Sequence, residues 1–277
     1  MPITELLAAL RPKQWLHFAV LPLAGFDPSA PRAAASMAVA RGVAIAVCVL
    51  AYGYLLNGIA DRRLDRDRGK NPLVGRRGSL APFWAAAVVL AAAAALTAAL
   101  SSWTVLAATL VSLGVGAVYS IGPRLKAVPG MCTALNAGCF APLLLVGVGG
   151  DRVSAPLWAL VVCFSALLLQ NQLLHEAADA EDDRRGGLRT TFDVLGPRGT
   201  AVAALAAALL LAAGSVWLAS ARGAPVLLAL HAAPYAIVFP MLLARHGLSP
   251  ARMARARTLH RALSALSGAL LFGATLA

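Results

Sequence analysis

Long blocks of Ala, Leu and Val alternate along this chain with short clusters of Arg, Asp, Gly and Pro. The blocks and their breakers predict spans at about 14–27, 36–60, 80–100, 103–121, 131–149, 155–174, 199–220, 224–243 and 258–276. Such lengths suit helices crossing a bilayer, each of which needs about 20 apolar residues. The ten-residue segments of alternating polarity that mark a membrane-spanning barrel are missing. The expected fold class is therefore all-α: a polytopic membrane protein of about nine transmembrane helices, forming one domain over residues 1–277. The first block follows Arg11 and Lys13 much as a signal peptide would, but eight more come after it, so it reads as a retained span.

Composition agrees. Of 277 residues, 60% are hydrophobic and 13% charged, and a mean hydropathy of +0.75 excludes an ordinary soluble domain. A net charge of +12 would point to nucleic acid in a soluble protein, but here its distribution reports topology. With the N-terminus in the cytoplasm, 20 of the 24 basic residues fall on the cytoplasmic face. Only Arg32, Arg41, Arg152 and Arg222 remain for the other side. The bias predicts an integral membrane protein with a cytoplasmic N-terminus, an odd number of spans, the lipid bilayer as partner and no nucleic acid. Cys48, Cys132, Cys139 and Cys163 all sit in apolar stretches without a C-x-x-C pair and read as small buried hydrophobes.

The acids change the picture, because nine of the twelve lie in two cytoplasmic segments. In N57-G-I-A-D61-R-R-L-D65, Asn57, Asp61 and Asp65 recur every four residues and share one helical face. In H175-E-A-A-D179-A-E-D-D183, Asp179 and Asp183 repeat the spacing, with Glu176 on the adjoining stripe. Asp61 to Asp179 and Asp65 to Asp183 are both 118 residues apart, which suggests an internal duplication. Hard oxygen ligands in pairs suit Mg²⁺, with Mn²⁺ as a substitute, bound together with the oxygens of a phosphorylated ligand. Asp61, Asp65, Asp179 and Asp183 are thus the candidate metal ligands and catalytic residues. Y119-S-I-G-P-R124-L-K126 adds the hydroxyls of Tyr119 and Ser120 and the cations Arg124 and Lys126 on the same side, as a diphosphate clamp. His175, one turn before Asp179, is placed to orient a carboxylate, and Asn171 is a polar residue expected to face a cavity.

These residues resemble the UbiA-like intramembrane prenyltransferase superfamily. N57-x-x-x-D61-x-x-x-D65 resembles its first Asp-rich motif, E176-A-A-D179-A-E-D-D183-R-R-G-G-L-R-T its second, and Y119-S-I-G-P-R-L-K its intervening motif; the R11-P-K-Q-W opening is similar too. The resemblance implies a nine-helix bundle around a lipid-accessible cavity and Mg²⁺-dependent ionisation of a prenyl diphosphate, with prenyl transfer to an acceptor. It also brings Arg11, Lys13 and Asn57 to the diphosphate and puts His175, Glu176 and Asn171 around the metal ligands. Departures occur at Gly58, where members often carry Asp or Gln, and at Asn71-Pro72-Leu73, where many read Arg-Pro-Leu.

The expected reaction is transfer of the prenyl group to a small aromatic acceptor. A terpene cyclase would use the same ionisation without an acceptor. A phosphoribosyl transferase acting on polyprenyl phosphate shares the R11-P-K-Q-W opening, but Leu16-His17-Phe18 stands where Lys-Asn often follows. A transporter should place ionisable residues near mid-membrane, and here the acids gather at one face.

Overall fold

The computed structural model describes residues 3–27, 29–63, 65, 68–69, 71–121, 125, 128–185, 187, 189–222 and 255–264, and these contain no strand. The helices are α1 (Ile3–Leu10), α2 (Pro12–Trp15), α3 (Arg32–Asp61), α4 (Ala81–Ala99), α5 (Trp103–Ser120), α6 (Met131–Phe140), α7 (Ala155–Arg185) and α8 (Thr191–Arg222), with a further helix at 255–264. Among the described residues five stretches are long and apolar enough to cross a membrane: Arg32–Asp61, Ala81–Ala99, Trp103–Ser120, Ala155–Glu181 and Thr191–Leu218. Large apolar side chains stand on their outer surfaces, Leu96 of Ala81–Ala99 and Val202 of Thr191–Leu218 both at 67% exposure, as a lipid-facing surface requires. Two intramembrane hydroxyls bond back along their own helices: Thr109 donates to the Val105 carbonyl at 2.7 Å and Ser215 to that of Leu211 at 2.6 Å.

The chain divides into two compact units, Met1–Leu125 with Gly138–Val153, and Lys126–Ala137 with Ser154–Ala277. In the first, α3 packs against α1, α4 and α5. Its inner face buries Leu55, Leu56 and Ile59 against Ala9, Leu73, Phe83 and Ala87. Lipid supplies no hydrophobic drive between helices, so small residues such as Ala9 and Ala87, which let neighbours approach closely, carry much of this packing. The cluster lies directly before the end of α3 and fixes where that end points. In the second unit α7 and α8 form the main pair, with Cys163 and Ala166 packed against Ala207, Ala208 and Leu211.

Two expected spans take another form. The block at 14–27 is the end of α2 followed by a ten-residue 3₁₀ helix, Leu16–Gly25, with Pro22 inside it. At about 2.0 Å per residue against 1.5 Å, this tighter winding carries ten residues roughly a third further than an α-helix would. The block at 131–149 is α6, a 3₁₀ turn at Ala141–Leu144 and a non-helical stretch. The two meet backbone to backbone: a Cβ on Gly147 would overlap the Pro22 carbonyl, and one on Gly42 of α3 would come within 2.6 Å of the Val146 oxygen. The span at 199–220 lies within α8, which is kinked at Gly196 (φ 65°) ahead of Pro197, because a residue before proline is pushed out of the helical region. The span at 224–243 lies outside the described residues, as does most of 258–276. Gly147→Ala is expected to lower the melting temperature of detergent-solubilised protein strongly, since backbone on both sides would have to shift. Gly53→Ala, with open space around its Cβ position, is expected to melt like the wild type.

Candidate active site

In the first unit α3 ends at Asp61, and Arg62 closes it. The next turn stays in place because the Asp65 N–H donates to the Asp61 carbonyl at 2.8 Å, so the i,i+4 relation of the two carboxylates outlasts the helix. Asp65 Oδ2 also accepts from Asn71 Nδ2 at 2.9 Å. Asn71 is fully buried and both its amide hydrogens are used: Nδ2 also donates to the Gly58 carbonyl at 3.0 Å, and Oδ1 accepts from the Leu73 N–H at 3.1 Å. The two departures noted in the sequence are thus neighbours, for a Cβ on Gly58 would stand 3.5 Å from Asn71 Oδ1.

Arg11 joins this group from the break between α1 and α2, where it adopts the left-handed conformation (φ 54°, ψ 47°). Its guanidinium carbon lies 5.8 Å from the Tyr54 ring centre. Burial pushes its pKa below the ordinary guanidinium value, opposed by the charges of Tyr54, Asp65 and Asp61. Its Nε is buried without a hydrogen-bond partner. A strained backbone that carries a partly desolvated guanidinium within electrostatic reach of two carboxylates is the kind of strain found at functional sites. Lys13, by contrast, is exposed on α2. Asn57 is half-buried one turn before Asp61, and Tyr119 and Ser120 end α5, Tyr119 half-buried and Ser120 buried. Arg124 and Lys126 lie outside the described residues, as does Asp67.

In the second unit α7 continues unbroken through Asp183. Asn171, His175, Asp179 and Asp183, each four residues apart, are all partly exposed, whereas Gln172, Glu176 and Ala180 on the adjoining stripe are buried. His175 Nδ1 lies 3.0 Å from Asp179 Oδ2, without the geometry of a hydrogen bond. The buried stripe has a different use. Glu176 Oε2 accepts from the Thr191 and Phe192 N–H groups at 2.7 and 3.2 Å, and Gln172, itself bonded to Asn136 and Cys132, donates to Oε1 at 3.4 Å. Glu176 is therefore a carboxylate cap on the N-terminus of α8, favoured by the helix dipole. Asp193 also caps: its Oδ2 accepts from the Thr190 N–H at 3.0 Å while Arg184 Nε donates to Oδ1 at 2.7 Å. Glu181 pairs with Arg185 at 3.5 Å on the surface, where such a pair contributes little.

The structure thus sorts the acids, leaving Asp179 and Asp183 on the open stripe of α7. Among the described residues no three His, Cys, Asp or Glu side chains converge as a metal cluster. Hard, paired carboxylate oxygens at Asp61 and Asp65 nonetheless suit a hydrated divalent ion that takes one or two carboxylates from the protein. Three participants escaped the sequence reading. Asn71 was visible only as a departure from a motif. Glu5 pairs with Arg76, whose guanidinium also lies 4.8 Å from the Phe83 ring centre, and nothing local marked it. Arg257, in the helix at 255–264, is close enough to Asp179 for that charge to oppose the lowering of its pKa by burial and by Arg261. Elsewhere, His260 is buried and bonded to Gln170 at 3.2 Å, as expected of a packed histidine, while His231 and His246 lie outside the described residues.

Apolar spanning helices and paired carboxylates at helix positions four apart define an integral membrane protein that handles hard-ligand chemistry beside the bilayer. The chain belongs to the UbiA prenyltransferase family, whose profile matches residues 17–271. Its fold is that of a UbiA homologue from Archaeoglobus fulgidus solved with GPP and Mg²⁺, at 24% identity and TM-score 0.74 over 99% of this chain and 100% of that one. A UbiA homologue from Aeropyrum pernix K1 matches at 23% identity and TM-score 0.68 over 92% and 96% of the two chains. The structure described as digeranylgeranylglyceryl phosphate synthase matches at TM-score 0.81 with 15% identity, over 99% and 97%. No curated protein matches the sequence.

Proposed function

We propose that the protein is a Mg²⁺-dependent intramembrane prenyltransferase that ionises a prenyl diphosphate and passes the prenyl group to a small aromatic acceptor. The observation that carries the reading is the pair Asp61 and Asp65, held one helical turn apart, with Arg11 against Tyr54 within electrostatic reach of both, in a chain of this family. Membrane-embedded carboxylates and an anionic diphosphate repel one another unless cations stand between them. Asp61, Asp65, Asp179 and Asp183 are assigned as ligands of Mg²⁺, or of Mn²⁺ in its place. The bound ion would neutralise the diphosphate and make it a better leaving group. A UbiA homologue solved with GPP and Mg²⁺ and with DMAPP and Mg²⁺ supports a divalent ion with a prenyl diphosphate.

Arg11, Arg124 and Lys126 are assigned to the diphosphate, where preorganised cations favour the charge that develops as the C–O bond breaks. Lys13, Asn57, Tyr119 and Ser120 complete the proposed contacts. The electron pair of the broken bond leaves with the diphosphate and the allylic cation is attacked by the acceptor ring. The ring proton then passes to the released diphosphate. His175 orients Asp179, and the active site faces the cytoplasm, following the basic residues. Impermeant reagents added to intact cells are therefore expected to leave cysteines introduced at 61–79 and 175–198 unlabelled; labelling of either segment overturns the sidedness.

The deciding experiment incubates purified protein with Mg²⁺ and geranyl, farnesyl or geranylgeranyl diphosphate, with and without hydroxybenzoate- or naphthoate-type phenols. A prenylated aromatic formed only when both substrates are present is the expected result. A cyclic hydrocarbon or alcohol without acceptor would make the protein a cyclase, and consumption of phosphoribosyl diphosphate with polyprenyl phosphate would make it a phosphoribosyl transferase.

A further inference from the structure

We infer that Asn71 is a positioning residue for the first carboxylate pair: its side-chain amide sets the orientation of Asp65 and thereby the affinity of that pair for a divalent ion. The inference rests on the metal assignment above and adds a residue to it. Three contacts lead to it. Nδ2 donates both to Asp65 Oδ2 (2.9 Å) and to the Gly58 carbonyl (3.0 Å), and Oδ1 accepts from the Leu73 N–H (3.1 Å). The Gly58 carbonyl belongs to the last turn of α3, just before Asp61, so a single amide ties the helix end that carries Asp61 to the carboxylate of Asp65.

Asp65 itself stands beyond the helix, where its N–H bonds the Asp61 carbonyl, and among the described residues Asn71 supplies the side-chain hydrogen bond that holds its carboxylate. Fixing Oδ2 fixes where Oδ1 stands. The amide is wholly buried and anchored on a core of Leu55, Leu56, Ile59 and Leu73, so it is rigid, and being neutral it orients Asp65 without cancelling its charge. Partners of this kind, one bond removed from a metal, commonly change affinity or activity by about 10–100-fold when removed.

A plain loop tether would give the same contacts and a different outcome. Arg68 supplies the comparison: its Nε donates to the Val74 carbonyl at 3.0 Å and clamps the same loop. The experiment measures Mn²⁺ binding by the full chain in detergent, from the electron paramagnetic resonance signal of free Mn²⁺, with geranyl S-thiolodiphosphate present so that no turnover occurs. Asn71→Ala is expected to weaken Mn²⁺ binding about 10–100-fold, Asn71→Gln to weaken it less, and Arg68→Ala to leave it as in the wild type. Wild-type binding by Asn71→Ala, or equal weakening by Arg68→Ala, overturns the inference. If Asn71→Ala does not elute as a folded species, Asn71→Gln against Arg68→Ala decides: weaker binding by the former alone supports the role, and equal binding rejects it. Asp65→Asn separates the two levels. If that variant binds Mn²⁺ like the wild type, the metal assignment itself fails; if it does not bind while the Asn71 variants bind normally, only the positioning role does.

Discussion

Asp65→Asn is expected to reduce Mg²⁺-dependent diphosphate release by about three orders of magnitude, on the order of 4 kcal/mol in the barrier. The change is nearly isosteric but costs the site twice. It removes a ligand charge from the proposed metal, and it sets an amide at position 65 against the amide of Asn71, whose Nδ2 now donates to Asp65 Oδ2. If the new side chain turns its oxygen to Asn71, its NH₂ replaces the remaining carboxylate oxygen; if it does not, two donors face each other. Asp61→Asn, Asp179→Asn and Asp183→Asn are expected to follow the same pattern. Asp193→Asn is the informative contrast, for it lies in the same acidic segment as Asp179 but caps α8. It should cost about 1 kcal/mol of stability and leave turnover at low temperature within about twofold. Steady-state assays with geranyl diphosphate, with melting curves of each variant, test the set. Wild-type rates in two of the four proposed ligands would end the metal assignment.

How far the sequence reaches can be seen residue by residue. Spacing alone places Asp179 and Asp183 on one face, because α7 runs straight through both. It succeeds at Asp61 and Asp65 for a less regular reason: the helix stops between them, and one backbone bond and a buried amide preserve the spacing. Charge counting fails at Glu176 and Asp193, since a carboxylate that caps a helix and one that binds a metal look alike in a string of letters; only the neighbouring N–H groups tell them apart. The hydrophobic blocks mark where the chain is apolar but not how it is wound. The stretch at 16–25 is as apolar as its neighbours, and it becomes a 3₁₀ helix beside Gly147 through a contact 122 residues away in the chain, between Gly25 and Gly147. Glu5, on α1, and Arg76, in the segment between α3 and α4, are likewise joined only by tertiary packing, which no local pattern records.

Arg11 gives the second large effect, and its backbone makes the prediction more specific than loss of a charge. The left-handed conformation costs a residue with a Cβ roughly 1–2 kcal/mol, and glycine escapes that cost. Arg11→Gly and Arg11→Ala both delete the guanidinium that lies by Tyr54 and feels the charges of Asp61 and Asp65, so both are expected to lose about 100-fold in turnover with geranyl diphosphate, the scale seen when one preorganised electrostatic group is removed. They should part company in stability, with Arg11→Gly melting higher than Arg11→Ala because only alanine keeps the strain. Arg11→Lys should recover little, since a compact ammonium on a flexible stem neither stacks on Tyr54 nor presents two parallel donors to a diphosphate. Turnover and melting temperature measured together on the three variants distinguish a functional guanidinium from a structural one. A structural Arg11 would show activity falling only as far as stability does, with Arg11→Lys near wild type, whereas a diphosphate ligand strained into place gives an Arg11→Gly protein that is folded, firm and nearly inactive.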